Sequence, residues 1–123
     1  MTSVALILLA HGSRLAEAND ATLALAAEVR SQCRFERVEA AFLEHGLPTL
    51  SEAIDGCVRS GAERILIFPH FLTPGVHLRR DLPEAVAEAR RCHPHTPILV
   101  TPALFDSSGL PQAILQLVGG EKG

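Results

Sequence analysis

Four of the chain's six histidines fall in three short polar stretches. These are His11-Gly12-Ser13-Arg14, then Glu44-His45-Gly46, then the run from His70 to Asp81, which also holds His77, Arg79 and Arg80. Imidazole and carboxylate together suit divalent transition metals such as Fe, Co, Ni and Zn. Imidazole also takes and gives protons near neutral pH. A single isolated histidine is more often a loop residue bonded to its neighbours, so the metal or acid–base reading needs several of them to meet. The sequence between the stretches decides whether they do.

Val4 to Ala10 is apolar throughout, as a central parallel strand must be. Ala18, Ala21, Leu25 and Val29 mark a helical face over residues 16 to 32. A second strand runs from Arg37 to Leu43. Thr49 and Glu52 then form a capping-box pattern ahead of Leu50, Ala53, Ile54 and Cys57, and Gly61 suits the stop. Arg64 to Pro69 is the third strand. Asp81 is placed to cap the following helix, with Pro83 in its first turn and Leu82, Ala85, Val86 and Ala89 as its buried stripe. Ile98 to Ala103 is the fourth strand. A last helix, capped near Ser107 or Ser108, carries Leu110, Ile114, Leu117 and Val118, and residues 119–123 form a tail.

This strict alternation predicts one α/β domain over residues 1–118. It is a four-stranded parallel sheet with helices on both faces and right-handed crossovers, in a flavodoxin-like arrangement. Parallel sheets bind ligands outside the carboxyl ends of their strands. His11 follows strand one, Glu44 and His45 follow strand two, and His70 and His77 follow strand three, so all five converge on one edge. Cys92-His93-Pro94-His95 looks metal-like but lies on the opposite edge, where an exposed helix end is expected. Arg14, Arg79 and Arg80 could hold acidic groups of a substrate. Gly12 and Gly75 allow a backbone to come close to a ligand.

Composition narrows the classes further. A formal charge of -3 argues against a nucleic-acid partner. The sole lysine is Lys122, and the arginine bias favours planar, bidentate recognition of carboxylate or phosphate. The three widely spaced cysteines make no disulfide framework and point to a reducing compartment. The apolar start is too short for a membrane span and lacks a basic lead-in, so a soluble cytoplasmic protein with no membrane partner is expected. There is no G-x-x-x-x-G-K-[ST], no G-x-G-x-x-G and no G-x-S-x-G, which removes support for nucleotide phosphates and for a serine elbow.

Three motifs carry a resemblance: L-L-A-H-G-S-R at 8–14, A-F-L-E at 41–44 and F-L-T-P-G-V-H-L-R-R-D-L-P at 71–83. With them the chain resembles the small form of the sirohydrochlorin cobaltochelatase (CbiX-type) family, class II tetrapyrrole chelatases. The resemblance implies ATP-independent insertion of a divalent metal, Co²⁺ first and Fe²⁺ or Ni²⁺ as alternatives, into sirohydrochlorin for cobalamin or sirohaem. The metal is then a substrate and no prosthetic group is expected. His11 and His77 match the family's metal ligands, and Glu44 its acidic residue. Ser13, Arg14, Gly75, Arg79 and Arg80 become candidate substrate-binding residues. A homodimer completing a two-lobed cleft is expected. A non-catalytic metal or tetrapyrrole carrier on the same fold is the competing class; it would bind without releasing metallated product.

Overall fold

A computed structural model describes residues 3–119 of the 123. The elements are β1 (Val4–Ala10), α1 (Ala16–Gln32), β2 (Arg37–Phe42), α2 (Leu50–Arg59), β3 (Arg64–Pro69), α3 (Val76–Cys92), β4 (Ile98–Val100) and α4 (Gly109–Leu117), with a 3-10 turn at Leu104–Asp106 before α4. All strand pairings are parallel, in the order β2-β1-β3-β4. The expected α/β sheet with helices on both faces is therefore present.

Side chains on β1 alternate between the two faces, as strand geometry requires. Ala5, Ile7 and Leu9 join Ala41, Ile65 and Ile67 beneath α2 and α3, where Ile54, Cys57, Leu82 and Val86 close the main core. Leu8 and Ala10 point the other way and join Ala40, Phe42 and Ala26 beneath α1. The α2 capping box is formed: the Glu52 N–H donates to the Thr49 hydroxyl, and the Thr49 N–H donates to the Glu52 carboxylate. Gly61 takes a left-handed φ of 91° just past the helix end.

Three elements differ from expectation. Helix α3 starts at Val76, with Gly75 as N-cap and no side-chain cap, so Asp81 and Pro83 lie inside it. Pro83 removes one backbone N–H, yet Leu78 joins Leu82, Ala85 and Val86 against the core, and that packing carries the helix upstream of the proline. Strand β4 ends at Val100; the Thr101 N–H still donates to the Ile67 carbonyl at 2.9 Å, and Pro102 has no N–H to continue the ladder. In α1 the inward line runs through Asn19, Thr22, Ala26 and Val29 instead of Ala18, Ala21 and Leu25. Among the described residues, no helix is long and apolar enough to cross a membrane.

Candidate functional site at the carboxyl edge of the sheet

Register brings the first two polar stretches together. Ala10 sits opposite Phe42 and Leu9 opposite Pro69. The ladders continue past the strand ends: the Leu43 N–H donates to the Ala10 carbonyl (3.0 Å), the Glu44 N–H to the His11 carbonyl (2.9 Å), and the His70 N–H to the Leu9 carbonyl (2.8 Å). His11 therefore lies between Glu44 and His70 at the carboxyl edge.

The side chains of the first two meet. His11 Nε2 lies 3.1 Å from Glu44 Oε1, and His45 Nε2 lies 3.2 Å from Glu44 Oε2. One carboxylate thus spans two imidazoles. The His11 and Glu44 side chains are 43% and 42% exposed, open enough for a ligand to reach. His11 Nδ1 is 3.2 Å from the Gly12 carbonyl. The Gly12 carbonyl beside Nδ1 and the Glu44 carboxylate beside Nε2 both only accept, so both favour a ring N–H facing them. A cation bound at Nε2 would take the place of the proton facing Glu44.

Two further residues hold this arrangement. Gly12 has φ 96°, and a Cβ there would come within 1.6 Å of the Glu44 carbonyl oxygen. Only glycine lets the two loops approach so closely. Asn19, on the inward line of α1, clamps them: its Oδ1 accepts from the Ser13 N–H (3.0 Å), and its Nδ2 donates to the Ser13 carbonyl (2.8 Å) and the His45 carbonyl (2.7 Å). His45 itself sits at φ 54°, a left-handed conformation that costs a non-glycine residue energy and is held by these contacts. The sequence reading passed over Asn19. Its signal was a polar residue on the apolar line of an amphipathic helix.

The other predicted residues are placed as follows. The Ser13 hydroxyl accepts from the Leu15 N–H at 3.0 Å, so it shapes the loop leading into α1. Arg14 is exposed on the same loop. Gly75 is extended (φ -147°) with open space about its Cα, so no close approach demands glycine there. His77 occupies the second position of α3; its side chain lies outside the described atoms. Arg79 and Arg80 are exposed in the early turns of α3, not in a loop, and Arg80 Nε is 3.4 Å from Asp81. Val76, His77 and Leu78 point backbone N–H groups out of the helix start, which favours negative charge there.

His70 is half-buried, with its ring tilted against Phe68 at 6.3 Å between centroids. Burial pushes its pKa down from the ordinary 6.5, because desolvation disfavours the charged ring. Among the described residues, no three His, Cys, Asp or Glu side chains gather into a metal cage. At the other edge, His93 is not a purely exposed helix end: its Nε2 lies 2.6 Å from Asp55 Oδ1, tying α3 to α2.

The CbiX family model matches residues 5–119. The chain is 40% identical over 81 residues to a sirohydrochlorin cobaltochelatase of Methanopyrus kandleri, covering 66% of this chain and 57% of that protein. It is 30% identical over 95 residues to a sirohydrochlorin ferrochelatase of Priestia megaterium, covering 77% of this chain and 36% of that one. Among solved structures, a cobalamin-biosynthesis CbiX protein from Marinobacter aquaeolei superposes with TM-score 0.81 at 28% identity, covering 94% of this chain and 93% of that one. A sirohydrochlorin chelatase, SirB, from Bacillus subtilis subspecies spizizenii, solved with cobalt, superposes with TM-score 0.86 at 25% identity, covering 95% of this chain and 50% of that one. The chain thus matches a little over half the length of the Methanopyrus kandleri cobaltochelatase and half of SirB. A match spanning nearly every described residue, on the fold those structures share, places the chain in the CbiX family.

Proposed function

We propose that this chain inserts a divalent metal, Co²⁺ first, into sirohydrochlorin without ATP, as a step in cobalamin or sirohaem synthesis. The observation that carries the reading is the Glu44 carboxylate held between His11 and His45 at the carboxyl edge, the edge from which the β3–α3 connection also leaves. Cobaltochelatase and ferrochelatase relatives, and the cobalt in the SirB structure, support it. The metal is a substrate and passes through the site.

In this reading His11, through Nε2, and His77 hold the incoming cation in an incomplete shell, leaving positions for pyrrole nitrogens. Insertion expels two pyrrole protons. Glu44 accepts one, already placed beside the metal-binding nitrogen, and His45 on its far oxygen is the next acceptor. Arg14, Arg79, Arg80 and the N–H groups at the start of α3 hold the substrate's carboxylates. Ser13 acts through its backbone and loop, fixing Arg14 and His11. The chain works in the cytoplasm, and two copies face each other to close a cleft around the tetrapyrrole.

An anaerobic absorbance assay with sirohydrochlorin and Co²⁺, Fe²⁺ or Ni²⁺ in turn tests the proposal. Catalytic turnover with at least one metal is expected. Stoichiometric binding without metallated product would instead identify a carrier.

A further inference from the structure

Among the described residues, the large apolar side chains that are more than half exposed fall into two groups. Ile114, Leu115, Leu117 and Val118 lie on and just after α4. Leu15, Leu47, Leu72 and Val76 lie in, or at the end of, the three loops that leave the carboxyl ends of β1, β2 and β3. That is the edge of His11 and Glu44. Single exposed leucines are ordinary, but several on one edge, interleaved with charge, mark a ligand surface.

Two of them are held outward on fixed backbone. The Leu15 N–H donates to the Ser13 hydroxyl and its carbonyl accepts from the Ala18 N–H, both at 3.0 Å, while its side chain is 62% exposed. Leu47, 72% exposed, stands between two anchors. Before it, Gly46 packs so closely on the Phe42 ring that a Cβ would come within 2.7 Å. After it, the Pro48 carbonyl accepts from the Phe42 N–H at 3.1 Å. The Asn19 side chain bonds Ser13 and His45, each two residues ahead of one of these leucines, and so ties their loops together. Arginines accompany the apolar positions. Arg14 precedes Leu15, and Arg79 and Arg80 fall three and four positions after Val76, on the same face of α3.

We propose that Leu15 and Leu47, with Leu72 and Val76 from the β3 loop, form the apolar seat on which one face of the tetrapyrrole rests. Apolar side chains with arginines beside them match a flat macrocycle whose faces are apolar and whose rim carries carboxylates. The bonded backbone at Leu15 and Leu47 presents the seat before the ring arrives, so binding orders little. The inference rests on the sirohydrochlorin reading above and names the side chains that touch the ring.

The test is equilibrium binding of metal-free sirohydrochlorin, read by absorbance, to the parent, Leu47→Asn, Leu47→Met and the double variant Leu15→Asn with Leu47→Asn. Kd should rise about 10-fold in Leu47→Asn and about 100-fold in the double variant, with urea midpoints unchanged. Leu47→Met, which keeps the apolar volume, should bind like the parent. Parent-like affinity in the folded asparagine variants overturns the proposal and leaves the chelatase reading intact; if the double variant unfolds, Leu47→Asn decides alone. Equal losses in Leu47→Met and Leu47→Asn also overturn it. So does a double variant that sediments as one copy where the parent sediments as two, because the leucines then serve a contact between chains. A parent that binds no sirohydrochlorin overturns the sirohydrochlorin reading and this inference with it.

Discussion

Glu44 shows how narrow the tolerances are for a single residue. Its carboxylate reaches His11 and His45 only because the β1 and β2 loops nearly touch at Gly12, where a Cβ would meet the Glu44 carbonyl at 1.6 Å. Gly12→Ala should therefore cost more than about 2 kcal/mol, measured by urea denaturation, through both the clash and the forbidden φ. His70 makes a pH prediction with a definite sign. Its folded pKa lies below its ordinary 6.5, so the unfolded chain binds the proton first. Stability is full above 6.5 and declines as the pH falls through it toward the folded value. His70→Leu should shrink the difference in urea midpoint between about pH 7.5 and about pH 5.5. Cys57 is buried beside Glu39, and burial is the main cause that pushes its thiol up to about 12. It should stay unreactive to thiol reagents in the native protein, while exposed Cys92 reacts at once.

Elements decide which residues meet. Asn19 on α1 bonds Ser13 and His45, and so locks two loops that belong to different strands. Asn19→Ala leaves the Ser13 N–H and the His45 carbonyl without that partner. A loss of about 1–3 kcal/mol by urea denaturation is expected, with turnover reduced beyond the loss of folded protein; unchanged turnover would show that the clamp is not needed. The strands β1 and β3 and the α2 capping box were legible because apolar runs and capping residues act locally. The convergence of His11 and Glu44 was legible because parallel strands present their carboxyl ends together. The start of α3 was not. Asp81 and Pro83 look like a helix start in isolation, and only the burial of Leu78 against the core extends the helix back to Val76. The truncation of β4 came from Pro102, and the ties that Asn19 and His93 make are long-range contacts that periodicity does not report.

At the scale of the molecule, the site is an edge and not an enclosure. His11 and Glu44 stand part-exposed at one edge of the sheet, and SirB is matched over half its length. In the proposed two-copy form a facing second lobe supplies the other side. The metal-insertion account rests at its centre on His11 as a metal ligand next to a proton acceptor. The most direct test measures Co²⁺ insertion into sirohydrochlorin by the parent protein and by His11→Ala, with far-UV circular dichroism confirming that both are folded. The account predicts turnover in the parent and its loss, by on the order of 100-fold or more, in the folded variant. Full turnover by folded His11→Ala would contradict it.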